Sequence, residues 1–83
     1  MTYLATFHTH FDAMKYLRFL KGRGIKGALK PVPRRISSSC GTCAVFDYGH
    51  SLEASELEEF TKEDVEGLYR IDGENHACLF QGE

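Results

Sequence analysis

Tyr3-Leu4-Ala5-Thr6-Phe7-His8-Thr9-His10-Phe11-Asp12-Ala13-Met14-Lys15-Tyr16-Leu17-Arg18-Phe19-Leu20-Lys21-Gly22-Arg23-Gly24 is the stretch on which the fold turns. Residues 3–8 are rich in β formers and read as a strand. Thr9 then stands where a helix N-cap belongs, with Asp12 three residues on, and Phe11, Met14, Leu17 and Leu20 recur at helical spacing. Gly22-Arg23-Gly24 offers left-handed positions for a C-cap, so the helix is expected to end near Gly22 or Gly24.

Further along, Ile25 to Val32 reads as a second strand, closed by Pro31 and Pro33 because proline cannot donate to a sheet ladder. A polar loop, Arg34 to Gly41, leads to a third strand, Thr42 to Phe46. Asp47-Tyr48-Gly49-His50 turns the chain into a second helix over roughly Leu52 to Thr61. Either Ser51 or Ser55 is placed to cap it, and Ala54, Leu57 and Phe60 form its inward stripe. Gly67 to Ile71 is the fourth strand, and Asp72-Gly73 signals a turn. His76 to Phe80 then forms a short extra strand that completes a terminal hairpin. The order βαββαβ predicts an α+β, ferredoxin-like sandwich over a single domain, 1–83, with both helices on one face of an antiparallel sheet and the other face open. An open face of this kind suits self-pairing into a homodimer or docking of a partner, but the architecture alone selects no function.

Composition narrows the classes. Hydrophobic residues make up 42% and charged residues 27%, an ordinary globular balance with no signature of disorder. No apolar run approaches the roughly 20 residues that a spanning helix needs, and the N-terminus lacks a secretory pattern. Three cysteines cannot all pair, so they read as thiols in a reducing, cytoplasmic setting. Charge is lopsided: residues 1–40 carry net +7 and residues 41–83 net −9, for an overall −2. Such polarity can steer a charged partner, although most of these charges also fit solvated helix faces. The basic run from Lys15 to Arg35 lacks aromatics at platform spacing, so no nucleic acid is expected, and no membrane either. His8-Thr9-His10 supplies two metal ligands where a structural zinc needs four, so neither metal nor cofactor is expected.

The candidate for chemistry is Cys40, in Ser37-Ser38-Ser39-Cys40-Gly41. A thiol is nucleophilic only as thiolate, and a cysteine at its ordinary pKa of about 8.5 is mostly protonated at neutral pH. Arg34 and Arg35 in the same loop, the hydroxyls of Ser37, Ser38 and Ser39, and backbone amides freed to approach by Gly41 all favour negative charge on sulfur. A loop also gives a macromolecule access to the sulfur. Cys43 completes Cys40-Gly41-Thr42-Cys43, a lone C-x-x-C at a strand entry rather than at a helix start. It leaves open a resolving thiol, a dithiol redox pair or a soft-metal site. If Thr42, Ala44 and Phe46 face the helices, Cys43 and Val45 lie on the open face, where Cys43 is accessible. Cys78, in the last strand or tail, reads as a packing residue.

These residues resemble the selenium/sulfur carrier protein-like family of bacterial domains. The resemblance runs from about Tyr3 to Ile71 and rests on Tyr3-Leu4 to Phe7-His8, Thr9-His10 with Ala13, Gly24-Ile25-Lys26, and above all Pro31-Val32-Pro33-Arg34 to Ile36-Ser37-Ser38-Ser39-Cys40-Gly41. Gly67 to Ile71 is similar to the family's closing strand. The resemblance implies that Cys40 is the carrier atom, with Pro33, Arg34, Ser37 to Ser39 and Gly41 as its setting. It further implies that sulfur or selenium donor and acceptor proteins are the partners, and that the chain is a carrier more than a stand-alone enzyme. Cys43 stands where the family usually has an aliphatic residue. A non-catalytic binding module with Cys40 incidental is the reading from another class.

Overall fold

The computed structural model describes residues 1–62 and 64–82. Seven elements follow one another: β1 (Thr2–Phe7), α1 (His10–Gly22), β2 (Gly27–Pro31), β3 (Thr42–Asp47), α2 (Ala54–Phe60), β4 (Val65–Asp72) and β5 (Asn75–Gln81). The strands form one five-stranded sheet in the order β2-β3-β1-β4-β5, antiparallel at every pairing. The fold is thus a small α+β domain of five antiparallel strands and two helices. The final strand is a full member of the sheet, longer than the short addition expected from His76 to Phe80.

Local chemistry explains where the elements begin and end. The Thr9 hydroxyl accepts from the Asp12 amide at 3.1 Å, as its position predicts. At the other end of α1, Gly24 takes φ +74°, the left-handed conformation glycine adopts without penalty. The Ile25 amide donates back to the Leu20 carbonyl at 2.9 Å. That bond commits Ile25 to the helix end, so β2 starts at Gly27 and not at Ile25.

The second helix is shorter than Leu52 to Thr61, and neither Ser51 nor Ser55 caps it: Glu53 is the N-cap, its amide donating to Glu56 Oε1 at 3.2 Å. The delay has a cause in the preceding segment. The Tyr3 hydroxyl accepts from the Leu52 amide at 3.1 Å and donates to the His50 carbonyl at 3.3 Å, which ties residues 50–52 to β1. In the terminal hairpin Asp72 pairs with Asn75, and Gly73 occupies the first loop position at φ +63°.

Alternation along β1 divides the core. Tyr3, Ala5 and Phe7 join Ala44 and Phe46 of β3, Leu68 of β4, Ala13, Tyr16 and Leu20 of α1, and Phe60 of α2 in one cluster. Both helices thus contribute to the same cluster. Phe46 stacks on Tyr3 and on Phe60 at centroid distances of 5.6 and 5.7 Å, and the Tyr16 hydroxyl donates to the Phe60 carbonyl at 2.8 Å.

The opposite parity, Leu4, Cys43 and Tyr69, forms a second cluster with Ile36 and, at its margin, Val32. The expectation of a bare second face is corrected here. The chain between β2 and β3 folds back onto that face and buries Ile36 to 5% exposure. An apolar side chain there removes its surface from water, a gain of about 1.5–3 kcal/mol. No helix among the described residues is long and apolar enough to cross a membrane.

Candidate functional site: a cysteine loop between two strands

The loop runs from Val32 to Gly41 and is closed at its neck, where the Val32 amide donates to the Gly41 carbonyl at 3.0 Å. A compact surface loop with its ends joined is an arrangement often used to carry function. Inside it, the Ile36 amide donates to the Pro33 carbonyl at 3.0 Å, so Pro33-Arg34-Arg35-Ile36 is a turn. Arg34 and Arg35 occupy its two corners and are exposed, whereas Ile36 returns to the second cluster. Among the described residues neither arginine has an ion-pair partner.

The three serines divide differently from the expectation that they face the sulfur. Ser37 is exposed. Ser38 donates its hydroxyl to the Phe7 carbonyl at 3.4 Å, which ties the loop to the end of β1. Ser39 donates its amide to Glu66 Oε1 at 3.0 Å and its hydroxyl to Glu66 Oε2. Glu66 Oε2 also faces His8 Nδ1 at 3.3 Å. The hydroxyls of Ser38 and Ser39 and the Ser39 amide are therefore engaged by protein oxygens and not by Cys40. The charged group bound to this part of the loop is a carboxylate, where the sequence suggested guanidinium.

Cys40 is half-buried at the edge of the helix-side cluster, and its thiol donates to the Thr42 carbonyl at 3.4 Å. Thr42 in turn contacts the first residue of α1, with His10 Nδ1 3.2 Å from its hydroxyl oxygen. The start of α1, the end of β1 and the neck of the loop thus converge within a residue or two of the sulfur. Gly41, exposed, supplies the neck carbonyl.

Cys43 is displaced from its expected role. Alternation puts it in the second cluster, but it is 0% exposed, packed with Leu4, Ile36 and Tyr69. Its sulfur contacts the Pro31 carbonyl at 3.8 Å. Burial, with the neighbouring Cys40 sulfur adding to it, pushes its pKa up. The accessible thiol expected there is overturned because the loop that carries Cys40 also roofs Cys43. Cys40 and Cys43 border clusters on opposite sides of the sheet, and both are free thiols. Cys78, read as a packing residue, is exposed on β5.

Glu66 and the His10–Thr42 contact were not legible in the sequence. Glu66 lies 27 residues from Ser39, and the only pointer to it is the β1/β4 register, which pairs Thr6 with Gly67 and so sets Glu66 beside the end of β1. A groove of about 660 Å³, lined by Leu17, Arg18, Lys21 and Gly24 to Gly27, lies at the start of β2 and touches no residue of the cysteine loop.

Fold and site together define a small α+β domain that presents a half-buried thiol from a closed surface loop. The chain belongs to the family described as "Putative Se/S carrier protein-like", whose model matches residues 2–70. The match ends before β5, so the outer strand of the terminal hairpin lies beyond it. Neither a curated protein nor a solved structure matches the chain.

Proposed function

We propose that the chain carries sulfane sulfur or selenium on Cys40, passing it between a donor and an acceptor protein in the cytoplasm. The observation that carries this reading is the setting of Cys40: in a chain of this family, it sits half-buried beside the neck of a closed loop, while Cys43, three residues on, is sealed beneath the same loop. We read the sheet order β2-β3-β1-β4 as ferredoxin-like with β5 added at one edge.

The chemistry is one exchange run in two directions. The Cys40 thiolate attacks the outer sulfur of a donor persulfide, a bond forms between Cys40 and that sulfur, and the donor's S–S bond breaks with its cysteine leaving as thiolate. No electrons are gained or lost overall, so no redox cofactor is required. A perselenide transfers selenium by the same steps. The start of α1 beside Thr42 and the amides about Gly41 favour the anionic adduct. Arg34 and Arg35, at the exposed turn, are suited to capture an acidic donor or acceptor surface. Ser37, exposed beside them, is a further contact for such a partner.

Incubation with a cysteine desulfurase and cysteine is expected to add one sulfur atom to the intact mass, and the Cys40→Ser variant is expected to take none. A shift that survives Cys40→Ser, or no shift in the unaltered chain, removes the carrier reading and leaves a binding module. The dithiol alternative is disfavoured by the burial of Cys43 on the other side of the sheet.

A further inference from the structure

Glu66 is the one acidic group bound to the cysteine loop in the contacts described above, and it is held on three sides. Its side chain is only 18% exposed. The Ser39 amide and hydroxyl take its two oxygens, and the His8 ring lies 3.3 Å from the second. Partial burial pushes its pKa up, but the hydrogen bonds from the Ser39 hydroxyl and amide outweigh this and hold it below the ordinary carboxylate range. Other charged or titratable groups around this corner are Tyr69 on the same strand and the Asp64–Lys15 pair beyond His8.

Ser39 immediately precedes Cys40, so a bond fixing the Ser39 amide also fixes the peptide plane that leads into the cysteine. We propose that Glu66 is the positioning residue of the Cys40 loop: its carboxylate, gripping Ser39, keeps the cysteine seated at the edge of the helix-side cluster, and loss of its charge frees the loop and uncovers the sulfur. The inference deepens the carrier reading by naming how access to that sulfur is set. The groups gripped come from three segments that the fold alone brings together, the end of β1, the loop and the start of β4.

The test compares Cys40 with Cys78 in the same molecule. Modification by 4,4′-dithiodipyridine, which reacts with thiols in acid as well as at neutral pH, is followed at each cysteine by peptide mass spectrometry, and the ratio of the two rates is the readout. Glu66→Ala is expected to raise the Cys40-to-Cys78 ratio at pH 7 on the order of tenfold, the scale of losing charge-assisted hydrogen bonds. The unaltered chain is expected to show the same rise as acid protonates Glu66, and Glu66→Gln a ratio that no longer steps in acid. Ser39→Ala, an exposed substitution safe for folding, should raise the ratio in the same direction. A ratio unchanged in both Glu66→Ala and Ser39→Ala, or an acid step that persists in Glu66→Gln, overturns the proposal. Because no sulfur donor is involved, failure here is distinct from failure of Cys40 to take up sulfur.

Discussion

Three cysteines in one small chain meet three different surroundings, and their chemistry should differ accordingly. Cys43 is sealed under Ile36 beside Tyr69, Cys40 is half-buried in its loop, and Cys78 is exposed on β5. Burial pushes the Cys43 pKa up. In the unfolded chain the same thiol ionises near its ordinary value of about 8.5, so its contribution to stability is present below that pH and is lost as pH rises beyond it. With N-ethylmaleimide under native conditions, Cys78 and Cys40 should be labelled while Cys43 stays protected until the chain unfolds. Peptide mapping over time, with and without guanidinium, checks this, and labelling of native Cys43 at the rate of Cys78 would contradict the packing described. The serine-flanked setting of Cys40 is legible in the sequence, but Glu66, which binds the preceding Ser39, is not, because nothing local ties Ser39 to a residue on another strand.

Among the elements, the Val32–Gly41 loop links fold to site most directly. Three fastenings hold it, the Ile36 side chain beneath, Ser38 at the end of β1 and Glu66 at the side. Ile36→Ala removes the first without touching a polar group. It is expected to cost about 2–5 kcal/mol, the range for deleting a buried isoleucine to alanine, and to expose Cys43. Urea denaturation of the variant measures the cost, and a loss below about 0.5 kcal/mol, the level of an ordinary surface change, would show that the loop does not depend on that anchor. The sequence predicts the loop as a polar connection. Its folding back onto the sheet is a consequence of Ile36, an isolated apolar residue between Arg35 and Ser37 that has no periodicity to advertise its burial.

For the whole molecule, the lopsided charge does not separate into two clean faces. Lys15 of α1 pairs with Asp64 at 2.8 Å, and Arg23 pairs with Glu59 while lying over the Phe19 and Phe60 rings at 5.5 and 5.4 Å. The cationic helix is thereby stitched to the acidic half of the chain, and Arg18, Lys21 and Lys26 are left along the groove at the start of β2. Three carboxylates share one direction of shift. Lys15 lowers Asp64, the Tyr48 hydroxyl lowers Glu56, and Ser39 lowers Glu66 against the opposing effect of its burial. For each, the folded pKa is depressed, so the stabilisation is complete above the unfolded values of about 3.9 to 4.3 and is lost as pH falls through the folded ones. The melting temperature is expected to hold level near neutrality and to decline below about pH 4. Thermal denaturation followed by circular dichroism across that range checks it, and a melting temperature unchanged in strong acid would refute it.

What the sequence by itself determined is the local order of the chain: β1 into a Thr9-capped α1, the glycine exit at Gly24, the Gly73 hairpin, and the serine-flanked Cys40 between β2 and β3. These follow from propensities, caps and turn chemistry that act over a few residues. Only the tertiary structure decided that the second sheet face is roofed, that Cys43 lies beneath the roof, and that Glu66 grips the residue before Cys40. Each of those contacts joins residues far apart in sequence, and their energies arise from burial and from hydrogen bonds made once the strands have paired.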